Sequence, residues 1–287
     1  MCAIQFGQKT LIMGILNVTP DSFSGDGLMS TPDVINSAIE RASKFIEAGV
    51  DILDIGGEST RPGAIYVHPT EEINRVIPVI KILRDRFSIP LSIDTTKADV
   101  AREAVQAGAT IINDVSGLIT DPQMVDIVQR SKTHVVIMHS HQNQFIVQSD
   151  RGGQYRSTNG YDFVAEIGHD IEKMTLHAIS HGVHKSRIII DPGIGFGKTV
   201  EQNIQLIYRL DQLKYMGYPI LLGASRKSFI GHATDSAVHK RLGGSIAAGV
   251  VGILKGADIL RVHDVEETVQ AAKLIDCMTR DPNCTDS

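Results

Sequence analysis

Two carboxylates and an amide stand at the ends of three short apolar runs: Asp94 in "PLSIDT", Asn113 in "TIINDVS" and Asp191 in "RIIIDPG". A carboxylate accepts two parallel N–H bonds, and an amide both donates and accepts. The trio suits a flat heterocycle with adjacent N–H donors, and it suits equally well a buried network closing the top of a core. A second set is cationic. "GASRKSFIG" carries Arg226 and Lys227, "RVHD" carries Arg261 and His263, and "GGESTRPGA" carries Arg61. If their segments meet, these residues form an anion site. For Arg226 alone, a solvated surface charge is the simpler reading; for Arg261 and His263, at the end of an apolar run, the anion reading is favoured.

"DPGIGFGKT", residues 191–199, imitates a phosphate-binding loop. The motif G-x-x-x-x-G-K-[ST] needs a glycine where this chain has Pro192, so it fails. Asp191 then faces a ligand, the glycines turn the loop beside it, and Lys198 points to solvent or caps a helix. Asp114 reads as a residue that hydrogen-bonds its own turn. His139 and His141 form an H-x-H pair that could hold a metal; imidazoles near the pocket or in a loop are the simpler reading.

The elements that must position these residues repeat. "IEAGVDILDIGG", "VQAGATIINDVSG" and "LKGADILRVHD" each end a helical pattern on a glycine and enter an apolar run. Eight such runs are present: 10–16, 51–57, 90–95, 110–116, 134–140, 187–193, 219–225 and 258–264. Helical patterns lie between them, the first with an apolar stripe through Ile35, Ala38, Ile39, Ala42, Phe45 and Ile46. Thr31 caps it, with Pro32 at the first helical position, and Pro78 kinks the next. The connection 226–257 holds two helical pieces. Eight strand–helix units predict a (β/α)8 TIM barrel, an α/β fold whose active site lies at the C-terminal ends of the strands. A doubly wound sheet is the alternative, but "NVTPDSFSGDG" after the first run lacks its glycine fingerprint. No linker or low-complexity stretch interrupts the chain, so residues 1–287 read as one domain.

The composition is 42% hydrophobic and 21% charged, with a net charge of −5, which implies no nucleic-acid surface. No apolar run approaches the ~20 residues of a membrane span, and the N-terminus reads as no signal peptide. Cys2, Cys277 and Cys284 read as incidental thiols in a reducing cytoplasm.

The motifs together resemble the dihydropteroate synthase family. "MGILNVTPDSFS", "DILDIGGESTRPGA", "LSIDTTK", "IINDVSG", "IIIDPGIGFGK", "GASRKSFIG" and "ADILRVHDV" occur in the family's order between residues 12 and 265. The resemblance implies condensation of 6-hydroxymethyl-7,8-dihydropterin diphosphate with 4-aminobenzoate, giving 7,8-dihydropteroate and diphosphate. It implies that Asp94, Asn113, Asp191 and Lys227 bind the pterin, and that Arg61, Arg261 and His263 contact the diphosphate. Phe23, Thr60, Pro62, Phe196 and Ser225 would surround the aminobenzoate, and Asn17 would ligate Mg2+. Asp21, Asp26 and Lys227 would take part in catalysis, under loops that close over the first two strands. The resemblance further implies a cytoplasmic homodimer that sulfonamides inhibit by competing with aminobenzoate.

One loop departs from the pattern. The family's first loop usually reads "SFSDGG"; here residues 22–27 read "SFSGDG", so Gly25 takes the place of the family's acid and Asp26 is displaced by one. Three rivals share the motifs in part. A pterin-dependent methyltransferase would have no use for a diphosphate site. A metal-dependent amidohydrolase would carry H-x-H after the first strand, where this chain has Asn17. A non-catalytic pterin-binding relative would bind without turnover.

Overall fold

The computed structural model describes residues 4–19, 31–59, 65–140 and 162–280. Eight parallel strands form its centre: β1 (Leu11–Asn17), β2 (Ile52–Gly56), β3 (Leu91–Asp94), β4 (Ile111–Asp114), β5 (His134–Met138), β6 (Ile188–Asp191), β7 (Leu221–Leu222) and β8 (Ile259–Val262). Their spatial order is β6-β5-β4-β3-β2-β1-β8-β7. Ile190 of β6 bridges Ile220 beside β7, and its N–H donates to the Pro219 carbonyl at 2.9 Å, closing the ring. The expected barrel is therefore present, with a strand inside each of the eight apolar runs.

Helices cover the outside: α1 (Thr31–Glu47), α2 (Pro69–Arg86), α3 (Ala98–Ala107), α4 (Met124–Ser131), α5 (Phe163–Ser180), α6 (Val200–Tyr208), α7 (Ser228–Thr234), α8 (Leu242–Leu254) and α9 (Val265–Thr279). The long connection holds α7 and α8, the two pieces expected. α2 runs unbroken through Pro78, on a buried face of Val76, Val79, Ile80 and Leu83. The glycines of the repeated joint do what their position implies. Gly49, Gly108 and Gly256 have φ of 93°, 117° and 95°, the left-handed turn that releases the chain from helix to strand.

Strand residues alternate between two cores. Ile12, Leu16, Leu53, Ile55, Ile93 and Ile112 face the helices. Leu11, Met13, Ile52, Ile111, Val136, Ile189, Leu221 and Ile259 fill the lower barrel interior. Two residues further along, the same inward face carries Asp54, Asn113, Asp191, Gly223 and Arg261. The apolar layer thus supports a polar one at the C-terminal rim.

Cys277 in α9 is disulfide-bonded, which corrects the reading of that cysteine as an incidental thiol; Cys2 and Cys284 lie outside the described residues. No helix among the described residues is long and apolar enough to cross a membrane.

Candidate active site

The polar layer is one connected network. Arg261 donates from Nε to Asp54 Oδ2 at 2.6 Å and from a terminal nitrogen to Asp94 Oδ2 at 2.5 Å. Asn113 Nδ2 donates to Asp54 Oδ2 at 3.1 Å, which orients the amide. Asp54 is fully buried, and its Oδ1 has no hydrogen-bond partner among the described residues. The carboxylates and the cations that stand apart in the sequence are therefore joined by Arg261. Asp54 is a member that sequence reasoning missed. Its signal was the second acid of "DILDIGG", in phase with Ile52 and Gly56 on the inward face.

Asp191 forms the opposite wall. Its Oδ1 accepts the Gly193 N–H at 2.7 Å. Gly223 faces its Oδ2: a methyl group placed there would lie 3.9 Å from Oδ2, 4.0 Å from Lys227 Nζ and 3.9 Å from Arg261 Cβ. The bare glycine therefore leaves open the space these three groups border. Lys227 Nζ donates to the Ile194 carbonyl and lies 4.5 Å from the centre of the Phe196 ring.

Lys198 does not point to solvent, nor does it cap a helix; α6 is capped by Thr199, which shares a capping box with Gln202. Lys198 is 1% exposed. Its Nζ donates to the carbonyls of Gly193 at 2.9 Å, His139 at 3.3 Å and Phe196 at 3.3 Å, and lies 3.1 Å from His139 Nδ1. The reason is the loop between. Gly193, Gly195 and Gly197 have φ of 71°, 81° and 73°, and the turns bring the Gly193 and Phe196 carbonyls to one buried place, where an N–H donor must meet them. Gly193 also lies so close to His139 that any Cβ would collide with the His139 carbonyl. Gly193→Ala is expected to cost about 3 kcal/mol or more, combining left-handed strain with overpacking; a denaturant midpoint close to the parent's would contradict this.

The rim resolves residue by residue. Arg226, expected to be a solvated charge, grips Asp264 through Nε at 2.9 Å and a terminal nitrogen, so it braces the rim. Ser225 Oγ receives the His263 N–H at 3.2 Å and lies 3.1 Å from His263 Nδ1, so it orients that ring. Glu58 pairs with Lys97 at 2.7 Å, and Lys97 also holds the buried Glu72. Asp114 accepts the N–H groups of Ser116 and Leu118 at 2.8 and 3.1 Å, the local turn expected of it. Buried His139 stands 3.7 Å from Asp170. Asp21, Phe23, Gly25, Asp26, Thr60, Arg61, Pro62 and His141 lie outside the described residues.

Burial dominates the electrostatics. It pushes Asp94 up to about 7, against the pull of Arg261 and with added repulsion from Asp54. It raises Asp191 against the pull of Lys227. It lowers Lys227 to about 8 and Lys198 to about 7, both against the attraction of Asp191. Burial works against Arg261 too, but Asp54 and Asp94 hold its guanidinium above the ordinary range. These are the mixed, opposed shifts of a working site rather than of a solvated surface.

The model of the pterin binding enzyme family matches residues 13–263. A dihydropteroate synthase of Clostridium beijerinckii is 44% identical over 275 residues, covering 96% of each chain. The chain belongs to the pterin binding enzyme family. Among solved structures, the dihydropteroate synthase of Clostridium difficile, studied in the presence of pteroic acid, superposes with a TM-score of 0.88 at 46% identity, over 97% of this chain and 100% of that one. That of Yersinia pestis, in a sulfonamide drug complex, gives 0.85 at 37% identity, over 94% of both. In this pterin binding enzyme the barrel's polar layer lies where the fold places ligands, at the C-terminal rim.

Proposed function

We propose that this protein is a dihydropteroate synthase, joining 6-hydroxymethyl-7,8-dihydropterin diphosphate to 4-aminobenzoate with release of diphosphate. The observation that carries the reading is the single inward layer of Asp94, Asn113, Asp191 and Arg261, with Lys227 beside it. It combines acceptors for a flat donor-rich ring with cations for an anion. Asp94 and Asn113 face one edge of the pterin, and Asp191 and Lys227 the other. The C–O bond to diphosphate breaks with its electron pair on the leaving group. Positive charge develops on the exocyclic methylene, and the carboxylates stabilise it. The neutral aromatic amine then forms the C–N bond and releases a proton.

Arg261 and oriented His263 receive the diphosphate, with Arg61. Asp21 and Asp26 take catalytic roles, and Phe23, Thr60, Pro62, Phe196 and Ser225 border the aminobenzoate. Sulfonamides compete at that place, consistent with the Yersinia pestis drug complex.

Among the described residues, no group of three or more His, Cys, Asp and Glu could hold a metal by itself. Asn17, half-buried at the end of β1, offers one neutral amide oxygen. That donor fits Mg2+, which favours oxygen ligands and keeps waters and substrate phosphates for the rest of its shell. When bound, the ion would neutralise charge on the departing diphosphate.

The pterin diphosphate is too charged to cross a bilayer unaided, which supports the cytoplasm as the working compartment. Leu242, Val251 and Leu254 are apolar and exposed along α8, which supports a homodimer.

The deciding experiment measures diphosphate release with Mg2+, the pterin diphosphate and 4-aminobenzoate, omitting each in turn. Dihydropteroate formed only with all three supports the synthase despite the displaced Asp26. Tight pterin binding without turnover supports a non-catalytic relative instead. The pH profile follows from the shifts. Asp94 is neutral below about 7 and Lys227 loses its charge above about 8. kcat/KM for the pterin diphosphate should therefore peak between those values. Asp94→Asn should flatten the acidic limb and Lys227→Met the alkaline one; limbs unmoved in both variants would assign them to other groups.

A further inference from the structure

We propose that Lys198 is a positioning residue for the pterin site, acting as a built-in hydrogen-bond donor that shapes the loop 192–199 so that Lys227 stands clear of Asp191. The proposal rests on the synthase reading and deepens it.

The geometry is a relay of carbonyl contacts. Lys198 enters from behind the loop and gathers the carbonyls of Gly193 and Phe196, together with that of His139 from the end of β5. The loop carbonyl between them, Ile194, turns the other way and receives Lys227 Nζ. Phe196 places its ring 4.5 Å from the same ammonium. Two lysines thus divide the carbonyls of one loop: Lys198, the back one, takes Gly193 and Phe196, and Lys227, the front one, takes Ile194. Only the front one borders the space left by Gly223 and Asp191.

Hydrogen-bond donation is what makes the back lysine necessary. Converging carbonyl dipoles repel unless a donor sits among them, and burial leaves no solvent to serve. Its Nζ reaches all three carbonyls and lies 3.1 Å from His139 Nδ1, and it keeps N–H donors in either protonation state. Among the described residues no acid is hydrogen-bonded to Lys198; Asp191 acts on it at longer range. Without that donor the loop opens, Ile194 withdraws its carbonyl, and Lys227 turns to the nearest remaining acceptor, Asp191. That collapse closes the ring-binding edge and removes the free Asp191 oxygen from the pterin.

The test is a double-mutant cycle on full-length protein, reading pterin diphosphate affinity by calorimetry and steady-state constants for both substrates. Parent protein is measured first; if it neither binds the pterin nor turns over, the synthase reading fails and the cycle is not reached. Lys198→Met is expected to weaken pterin diphosphate binding about 30-fold while leaving the KM for 4-aminobenzoate within about threefold. In the Lys227→Met background the same change should have almost no further effect, because its route is already gone. His139→Ala, which removes the imidazole but keeps the carbonyl, should leave pterin affinity near the parent's. Additive effects of Lys198→Met and Lys227→Met, or unchanged pterin affinity in a folded Lys198→Met, would overturn the proposal. If Lys198→Met does not fold, Lys198→Gln, whose shorter side chain leaves at least one of the three carbonyls unmet, replaces it with the same direction of loss expected. A chain that folds with neither substitution would make Lys198 a requirement of the barrel itself and would equally overturn the assignment.

Discussion

Asp191→Asn is expected to lower kcat/KM for the pterin diphosphate about a thousandfold, or about 4 kcal/mol at ~1.4 kcal/mol per tenfold. Asparagine has the same shape, and its oxygen still accepts the Gly193 N–H that Asp191 holds at 2.7 Å. What disappears is the negative charge facing the space beside Gly223 and Lys227. That charge is fixed in place before reaction and opposes the cation that develops as diphosphate leaves, so its loss falls on the transition state. Stability should not fall, because burial already disfavours the charged form of Asp191. The check is steady-state kinetics beside a thermal melt. A loss below about tenfold, or a parallel drop in melting temperature, would remove Asp191 from the chemistry.

Arg261→Met is expected to damage fold and function together. Arg261 lies between Asp54, fully buried, and Asp94, nearly so. Removing one partner of a buried ion pair leaves an uncompensated charge, at a cost of about 3–5 kcal/mol. Adding Asp54→Asn should return most of that stability, because the orphaned carboxylate becomes a neutral amide. It should not return turnover. The pterin diphosphate has still lost the cation that faces its anion and holds Asp94 in place, and its affinity should remain at least about 100-fold below the parent's. Denaturant unfolding and calorimetry on the three proteins separate the two roles. Turnover restored along with stability would show that Arg261 serves only the fold.

Much of this architecture was legible because barrel repeats have local causes. Apolar runs of strand length, glycines at helix ends and helical stripes between them are consequences of nearby residues. They located all eight strands and the two helices of the 226–257 connection. Asp94, Asn113 and Asp191 were legible for the same reason: each ends a strand, and parallel strands deliver their C-terminal ends to one rim. The length and order of the motifs also sufficed to place the chain in its family.

Three features were decided only by packing in three dimensions. Asp54 was hidden because its importance comes from Asn113 and Arg261, which reach it from other strands across the barrel. Arg226 was misread because its partner, Asp264, lies 38 residues away and meets it only when β7 and β8 stand side by side. Lys198 was misread most. A lysine among glycines looks solvated in sequence, where nothing marks the direction of a carbonyl. Three left-handed glycines shape the loop so that the Gly193 and Phe196 carbonyls meet that of His139 at one buried place, and an N–H donor must follow. The sequence by itself determined the strands, the rim and the family. The tertiary structure decided which charges face one another, because that depends on backbone direction and on partners brought together only by closure of the barrel.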